Sequence, residues 1–405
     1  MKPEGEANGV VVGNGCVPGK SEENMKLRDD IGCERQLISA SASARFREML
    51  EGLNVPGDSG NPPVAPPWLD KVLFNKGRQF YQRYFFCVFM SDLVSLLMLF
   101  TVNRILRPLM YTGRSDTALK ALRRYVSTIS HVIAWYSGDM WDPADPAHKD
   151  IMQVRQIHKA AAKTFNSPTH VQKVDAASIT TTAAAAASEC ACPFAAPLMQ
   201  DLHAHHDTGV ELEAKNTLYI SQWDQLFTQY GFLGVMVAHP WRMGAWRVTD
   251  EEMAGFIHFW RGAGWLLGIE DKYNFCNGTV EETRALCKEM EDHVVKPCLS
   301  RAGRDHEIMG TALIDGLSTV VPFFSYPAVL RLLGDVLEVP MPAVTARMSG
   351  RQRFHYVFIR VVLHGLFLVP GVVWVFNEML KAGLKAVQGK HSWWKTTHKV
   401  TPYSY

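Results

Sequence analysis

The chain has 405 residues, 47% of them apolar and 20% charged, enough to bury a large core in one or two domains. A formal net charge of +2, with no stripe of Lys and Arg interleaved with aromatics, argues against nucleic acid as a partner. The eight cysteines are too scattered for a disulfide framework, and Cys190-Ala-Cys192 is spaced more tightly than a usual zinc pair.

Residues 1–66 are rich in Gly, Pro, Ser and charge and close on Asn61-Pro-Pro-Val-Ala-Pro-Pro67, so they read as a mobile tail and linker. Within them, Glu34 to Leu53 has the composition of an isolated helix. No apolar segment follows Met1, so an N-terminal secretion signal is not expected and an intracellular site is. Helical periodicity begins near Trp68. Tyr84 to Val102 is long and apolar enough for a membrane span, but Asp92 stands at its centre, where a charge costs about 2.5 to 3.5 kcal/mol on insertion. The better reading is a buried core helix, in which Asp92 needs a partner that the sequence does not name.

Thr117 to Ser137 forms the next periodic stretch, with Arg124 at the border of its apolar face and Thr128 one turn later. A turn-rich break, Trp-Asp-Pro-Ala-Asp-Pro146, separates it from a second helix in which Ile151, Val154, Ile157 and Ala161 recur at three and four residues. Arg155 and His158 share a face of that helix, as Arg124 and Thr128 share one of the first. Two polar faces can thus meet across a pocket. A neutral imidazole aimed into a dry cavity suits a haem axial ligand, while a hydrogen-bonded core histidine accounts for the same spacing.

Residues 167–215 interrupt the pattern with an Ala/Thr run and the cluster His203-Ala-His205-His206-Asp207, read as an insertion. Three imidazoles and a carboxylate offer metal ligands, although adjacent residues do not share a helix face. His239 reads as a loop histidine ahead of a helix-capping signal at Thr249 to Glu252. Beyond residue 340 the text turns basic and then apolar, Val361 to Phe376 carrying His364 as its one polar residue and Pro370-Gly371 as a kink. Lysines and Trp393-Trp394 follow. Residues 341–405 therefore read either as a membrane anchor or as a helix pair closing the fold.

Arg124 to Thr128, thirty residues to His158, together with Gln222 to Phe232, Val248 to Glu252 and Phe259 to Ile269, resemble in order and spacing the rubber oxygenase (latex-clearing protein) and MpaB-type ER-bound oxygenase family. The similarity covers roughly residues 70 to 340, within an expected catalytic domain of 67–340. It implies an all-α fold with haem b, His158 as proximal iron ligand, and Arg124 and Thr128 on the distal side. It also implies Arg155 one turn away where it can pair with a propionate, and Thr228 as a polar residue near the pocket. Rubber-cleaving members carry a lysine just before the distal threonine, where this chain has Ser127. They also place a candidate base where residues 106–112, LRPLMYT, offer no carboxylate. The implied activity is an oxygenase that uses dioxygen on an apolar substrate, isoprenoid or lipid, at the endoplasmic reticulum or another membrane. The alternative is a haem- or lipid-binding protein of that fold without turnover.

Overall fold

The computed structural model describes residues 42–178, 192–206, 208–210, 212 and 218–390. Among these, helix follows helix and no β-strand forms; Pro56 and Ser221 share an isolated bridge. The fold is all-α, as the sequence predicts. The longer helices are α1 (Ala44–Glu51), α2 (Lys71–Arg83), α3 (Phe85–Leu99), α4 (Asn103–Tyr111), α5 (Ala118–Ser137), α6 (Pro146–Phe165) and α7 (Gln222–Ala238). They continue with α8 (Asp250–Leu267), α9 (Val280–Met290), α10 (Arg304–Leu317), α11 (Tyr326–Leu337), α12 (Gly350–His364) and α13 (Val372–Lys390).

Helix starts follow local chemistry. Asp145 caps α6, with Pro146 in the first turn where its missing N–H is not needed. Ser221 with Asp224, and Thr249 with Glu252, form reciprocal capping boxes on α7 and α8. The core is the crossing of α2 on α8 and of α3 on α7. Gly77 and Gly255 meet at the first crossing, where a Cβ on Gly77 would strike the Gly255 carbonyl, so the two backbones come closer than any side chain permits. At the second, Gly231 lies against Leu99.

Tyr84 to Val102 does not form a continuous span. Helices α2 and α3 are bent 88° apart at Tyr84, and no single helix among the described residues is long and apolar enough to cross a membrane. Of the 15 residues of α3, all but Asp92 and Leu96 are buried.

The expected linker through residue 66 needs correction. From Ala44 onward it is a packed strap: α1 buries Phe46 and Met49, Leu53 follows, and Asp58 pairs with Arg155. Its Gly- and Pro-rich text has no periodicity because side-chain pairing and a bridge hold it, rather than a helical stripe. Residues 1–41 lie outside the described residues, as do Cys190, Asp207, Trp393 and Trp394.

The expected insertion is folded at its described edges, with short helices at Val171–Asp175 and Ala195–Asp201. The Glu307 carboxylate accepts from the Phe194 and Ala195 N–H groups, and Asp201 accepts from those of Ala343 and Val344. No group of three or more metal-binding side chains is assembled among the described residues, His203, His205 and His206 included. At the C-terminal end, Val361 to Phe376 breaks at Gly371, which takes a left-handed φ of +88°. Helix α12 ends at His364 and α13 begins at Val372, so the stretch is two helices rather than one long helix, α12 packing on α11 and α13 on α3 and α2. Their inner faces bury Ile359, Val362, Leu363, Leu380 and Leu384.

Replacing Gly77 with alanine should force the α2–α8 crossing apart and cost about 1 to 3 kcal/mol, read as a lower urea midpoint with unchanged slope. An unchanged midpoint would show that the crossing tolerates the methyl group.

Candidate functional site

On α5, Arg124, Thr128, His131 and Trp135 repeat at four, three and four residues and so form one stripe. The stripe faces α6: His131 Nδ1 lies 2.8 Å from Asp150 Oδ2, and Trp135 Nε1 donates to Asp150 Oδ1 at 2.7 Å. His158 stands two turns beyond Asp150 on α6. Both Arg124 and His131 are near enough to act on it electrostatically. The two faces predicted from spacing therefore do meet.

Burial, then the nearby Arg124 cation, then His131 hold the His158 imidazole down at about 4, so it is neutral near pH 7. The side chain lies deep in the molecule yet keeps a partly accessible surface, as a group lining an interior hollow does. Its Nδ1 is 3.4 Å from the Gln225 side-chain nitrogen Nε2, and its own Nε2 has no hydrogen-bond partner among the described residues. A second deep histidine shows the contrast. His306 is also held at about 4 by burial, but Nε2 meets the Leu97 carbonyl at 3.0 Å and Nδ1 the Tyr326 hydroxyl at 3.2 Å. His306 is a satisfied core histidine; His158 is not.

Helix α7 supplies the facing wall. It is buried along its length except at Thr228, Phe232 and its last residue. Gln225, Thr228 and Phe232 fall on one stripe, which runs from His158 to the Trp260 ring that Phe232 stacks on at 4.8 Å. Thr228 spends its hydroxyl proton on the Asp224 carbonyl at 2.8 Å, and Thr128 likewise on the Arg124 carbonyl at 3.2 Å. Each keeps its oxygen lone pairs for an incoming group. Ser127, at the edge of the α5 stripe, has no hydrogen bond among the described residues. Arg124 Nη1 donates to the Thr112 and Ser115 hydroxyls, both at 3.3 Å, which fixes the cation beside the stripe.

Arg155 does not serve as expected. Its guanidinium turns away from His158 onto the strap: Nε and Nη2 donate to Asp58, and Nη1 to the carbonyls of Asn61 at 2.8 Å and Leu266 at 3.4 Å. Those donors are therefore committed to the fold, because the Asp58 carboxylate on the strap captures the long side chain. Burial alone would raise the Asp58 carboxyl, but Arg155, the Gly60 N–H and Lys159 outweigh it and hold it at about 2. Arg155 thus positions α6 and carries no contact to the hollow. Gln225, His131 and Asp150 were missed by sequence reading. The first two are discoverable in retrospect, as the positions one turn from Thr228 and Thr128 on the same faces.

Neither a family model nor a curated protein matches this chain. The fold and the paired α5–α6 faces define an all-α protein with an interior, histidine-lined hollow. A solved structure with this fold is that of latex clearing protein LCP in the closed state, with a TM-score of 0.50 and 17% sequence identity over 90% of this chain and 89% of that one. That likeness establishes the fold.

The Asp58 carboxylate sits below its ordinary value of 3.8, so its stabilising effect is complete above about pH 4 and lost as pH falls through 2, a change of about 2 kcal/mol. Asp58→Ala should cost about 3 to 5 kcal/mol at pH 7, because it leaves Arg155 buried and unpaired. The gap between wild type and variant in urea denaturation should narrow between pH 4 and pH 2. A gap independent of pH would exclude the ion pair as its source.

Proposed function

We propose that this chain is a haem-dependent oxygenase of the latex-clearing and MpaB type, acting with dioxygen on an apolar substrate. One observation carries the reading: a deep, neutral histidine with one ring nitrogen beside an amide and the other unpartnered, next to a fixed cation and two hydroxyls. The donor set fits haem b. His158 Nε2 would hold the iron; the Gln225 amide, placed with its nitrogen toward Nδ1, would need its oxygen there instead to keep the ring in the tautomer that leaves Nε2 free. Haem iron supplies, when bound, the redox chemistry that dioxygen requires.

The remaining work falls to side chains. Arg124 places positive charge where negative charge develops on oxygen, and its hydrogen bonds to Thr112 and Ser115 hold it there before reaction. Ser127, Thr128 and Thr228 offer hydroxyl oxygens along the walls. Phe232, Trp260 and Leu96 exclude water and accept an uncharged chain. A binder without turnover is the second reading, favoured by the Thr128 and Thr228 protons being spent on their own backbone. Loss of an unsaturated lipid such as squalene under oxygen separates the two.

The substrate would reach the hollow from a membrane surface. The C-terminal helices α12 and α13 and their connection expose Phe354 (55%), Val361 (53%), Val369 (53%), Trp374 (65%) and Met379 (60%). Between 350 and 389 stand Arg351, Arg353, Arg360, Lys381 and Lys385 against a single carboxylate, Glu378. Aromatic and aliphatic groups rimmed by cations suit insertion into the headgroup region of an anionic bilayer.

Protein expressed with haem available should show a Soret band that His158→Ala abolishes and His306→Ala keeps. No band in folded wild type would sink the haem reading. Separately, the protein should sediment with phosphatidylserine-containing vesicles but not with pure phosphatidylcholine, and Trp374→Glu should weaken binding about tenfold. Equal recovery with both vesicles, or an unaffected variant, would remove α12 and α13 from membrane contact.

A further inference from the structure

Asp92 is the buried carboxyl for which the sequence names no partner, and the structure gives it none. It accepts and donates no hydrogen bond among the described residues, and its Oδ1 is sealed from solvent without a partner. Its chain neighbours Ser91 and Leu93 are fully buried, whereas Asp92 and Leu96, one turn apart, keep the only partial accessibility on α3. That face therefore opens inward, onto space rather than onto packed side chains.

Two more polar atoms lie next to it. Tyr136, 1% exposed, and Trp260, 2% exposed, have ring centroids 6.4 Å apart; the Tyr136 hydroxyl and Trp260 Nε1 face each other without a hydrogen bond of ordinary geometry, and neither has another partner. Asp92 is close enough to act electrostatically on both Tyr136 and Tyr81. The Tyr136 ring is clamped between Tyr81, stacked at 3.7 Å and 4°, and Phe259, stacked at 3.8 Å and 9°. Its hydroxyl therefore cannot swing away to find water. Native interiors leave few buried polar atoms unpaired, and an unpartnered carboxyl beside a loosely matched Tyr–Trp pair calls for an occupant.

The occupant's chemistry follows from theirs. Burial pushes the Asp92 carboxyl well above the carboxylate range, toward the neutral acid, which can donate one hydrogen bond and accept another. Tyr136 can do both, and Trp260 donates only. No cation stands beside Asp92 to favour its ionised form, so a charged headgroup would meet an uncompensated apolar wall. We propose that Asp92, Tyr136 and Trp260 form a recognition site for the single uncharged oxygen function, hydroxyl or carbonyl, of an otherwise apolar ligand whose chain lies along Leu96 and Phe232. This deepens the oxygenase reading, on which its substrate role rests, by making the substrate an oxygen-bearing lipid instead of a pure hydrocarbon.

The test is binding of farnesol against farnesene, its hydrocarbon counterpart, to the full chain purified with haem available, followed by quenching of tryptophan fluorescence. Wild type should bind farnesol about tenfold tighter, and Asp92→Leu and Tyr136→Phe should each remove most of that preference; Asp92→Leu should do so without lowering thermal stability, since that carboxyl bonds nothing among the described residues. Asp92→Asn, which keeps a donor and an acceptor, should retain it. Equal binding of the two ligands by wild type, or an undiminished preference in Asp92→Leu, would overturn the proposal. So would tighter binding of farnesylamine than of farnesol. A Soret band without alcohol preference would leave the haem reading standing and remove this site. Alcohol preference without a Soret band would do the reverse.

Discussion

Arg104 and Asp224 form a two-pronged ion pair inside the protein, Nε to Oδ1 and Nη2 to Oδ2 both at 3.1 Å, and helix α7 owes its buried position to it. The first turn of a helix leaves N–H groups without intrahelical partners, and here that turn is sealed from solvent. Asp224 answers the Ser221 N–H through the capping box, while Arg104 neutralises its charge and also reaches the Leu218 carbonyl. Breaking such a pair by deleting one partner strands a buried charge, at about 3 to 5 kcal/mol. Because α7 is anchored this way, Gln225, one residue on, and Thr228, one turn on, are held rigidly against α6. The site's precision thus begins at a salt bridge that touches nothing in the hollow.

Much of that site is legible in the chain because helices translate spacing into direction. Arg124 with Thr128, and the thirty residues to His158, are enough to place two faces opposite each other once both segments are helical, and the break at Trp-Asp-Pro-Ala-Asp-Pro146 fixes the turn between them. What spacing cannot decide is where a long side chain goes when two partners compete for it. Arg155 is three residues from His158 and was expected to serve the same pocket, yet Asp58 takes it from a segment 97 positions earlier. Asp58 lies in text whose glycines and prolines carry no periodicity, and so no signal of order. Long-range pairs of this kind are invisible to local pattern, and they decide both the extent of the domain and the freedom of an arginine.

Apolar runs were ambiguous for a related reason. Both Tyr84 to Val102 and Val361 to Phe376 are apolar enough to be weighed as spans, but composition does not record where a helix ends. The first yields only the 15-residue α3, set off from α2 by the 88° turn at Tyr84 and wrapped by α2, α7 and α11; the second is broken between His364 and Val372, with Gly371 in the left-handed region. The same residues that would read as a span thereby do two jobs, α3 lining the interior and α12–α13 presenting Trp374 and Met379 outward.

His158 and Asp92, both deep in the molecule, reveal the character of its interior. Burial drives the imidazole down and the carboxyl up, and both shifts favour the uncharged form. A cavity that neutralises an acid and a base alike is one in which separated charge is expensive, and it can tolerate Arg124 only because that cation is held at the edge by hydroxyls. Chemistry that passes through free carboxylates or ammonium groups is disfavoured there. Chemistry that moves electrons while keeping the substrate neutral is not, and negative charge arising near Arg124 would be stabilised more strongly in so dry a place than in water. The same low polarity that makes His158 available as a neutral donor therefore disfavours charged groups beside it and beside Asp92 alike.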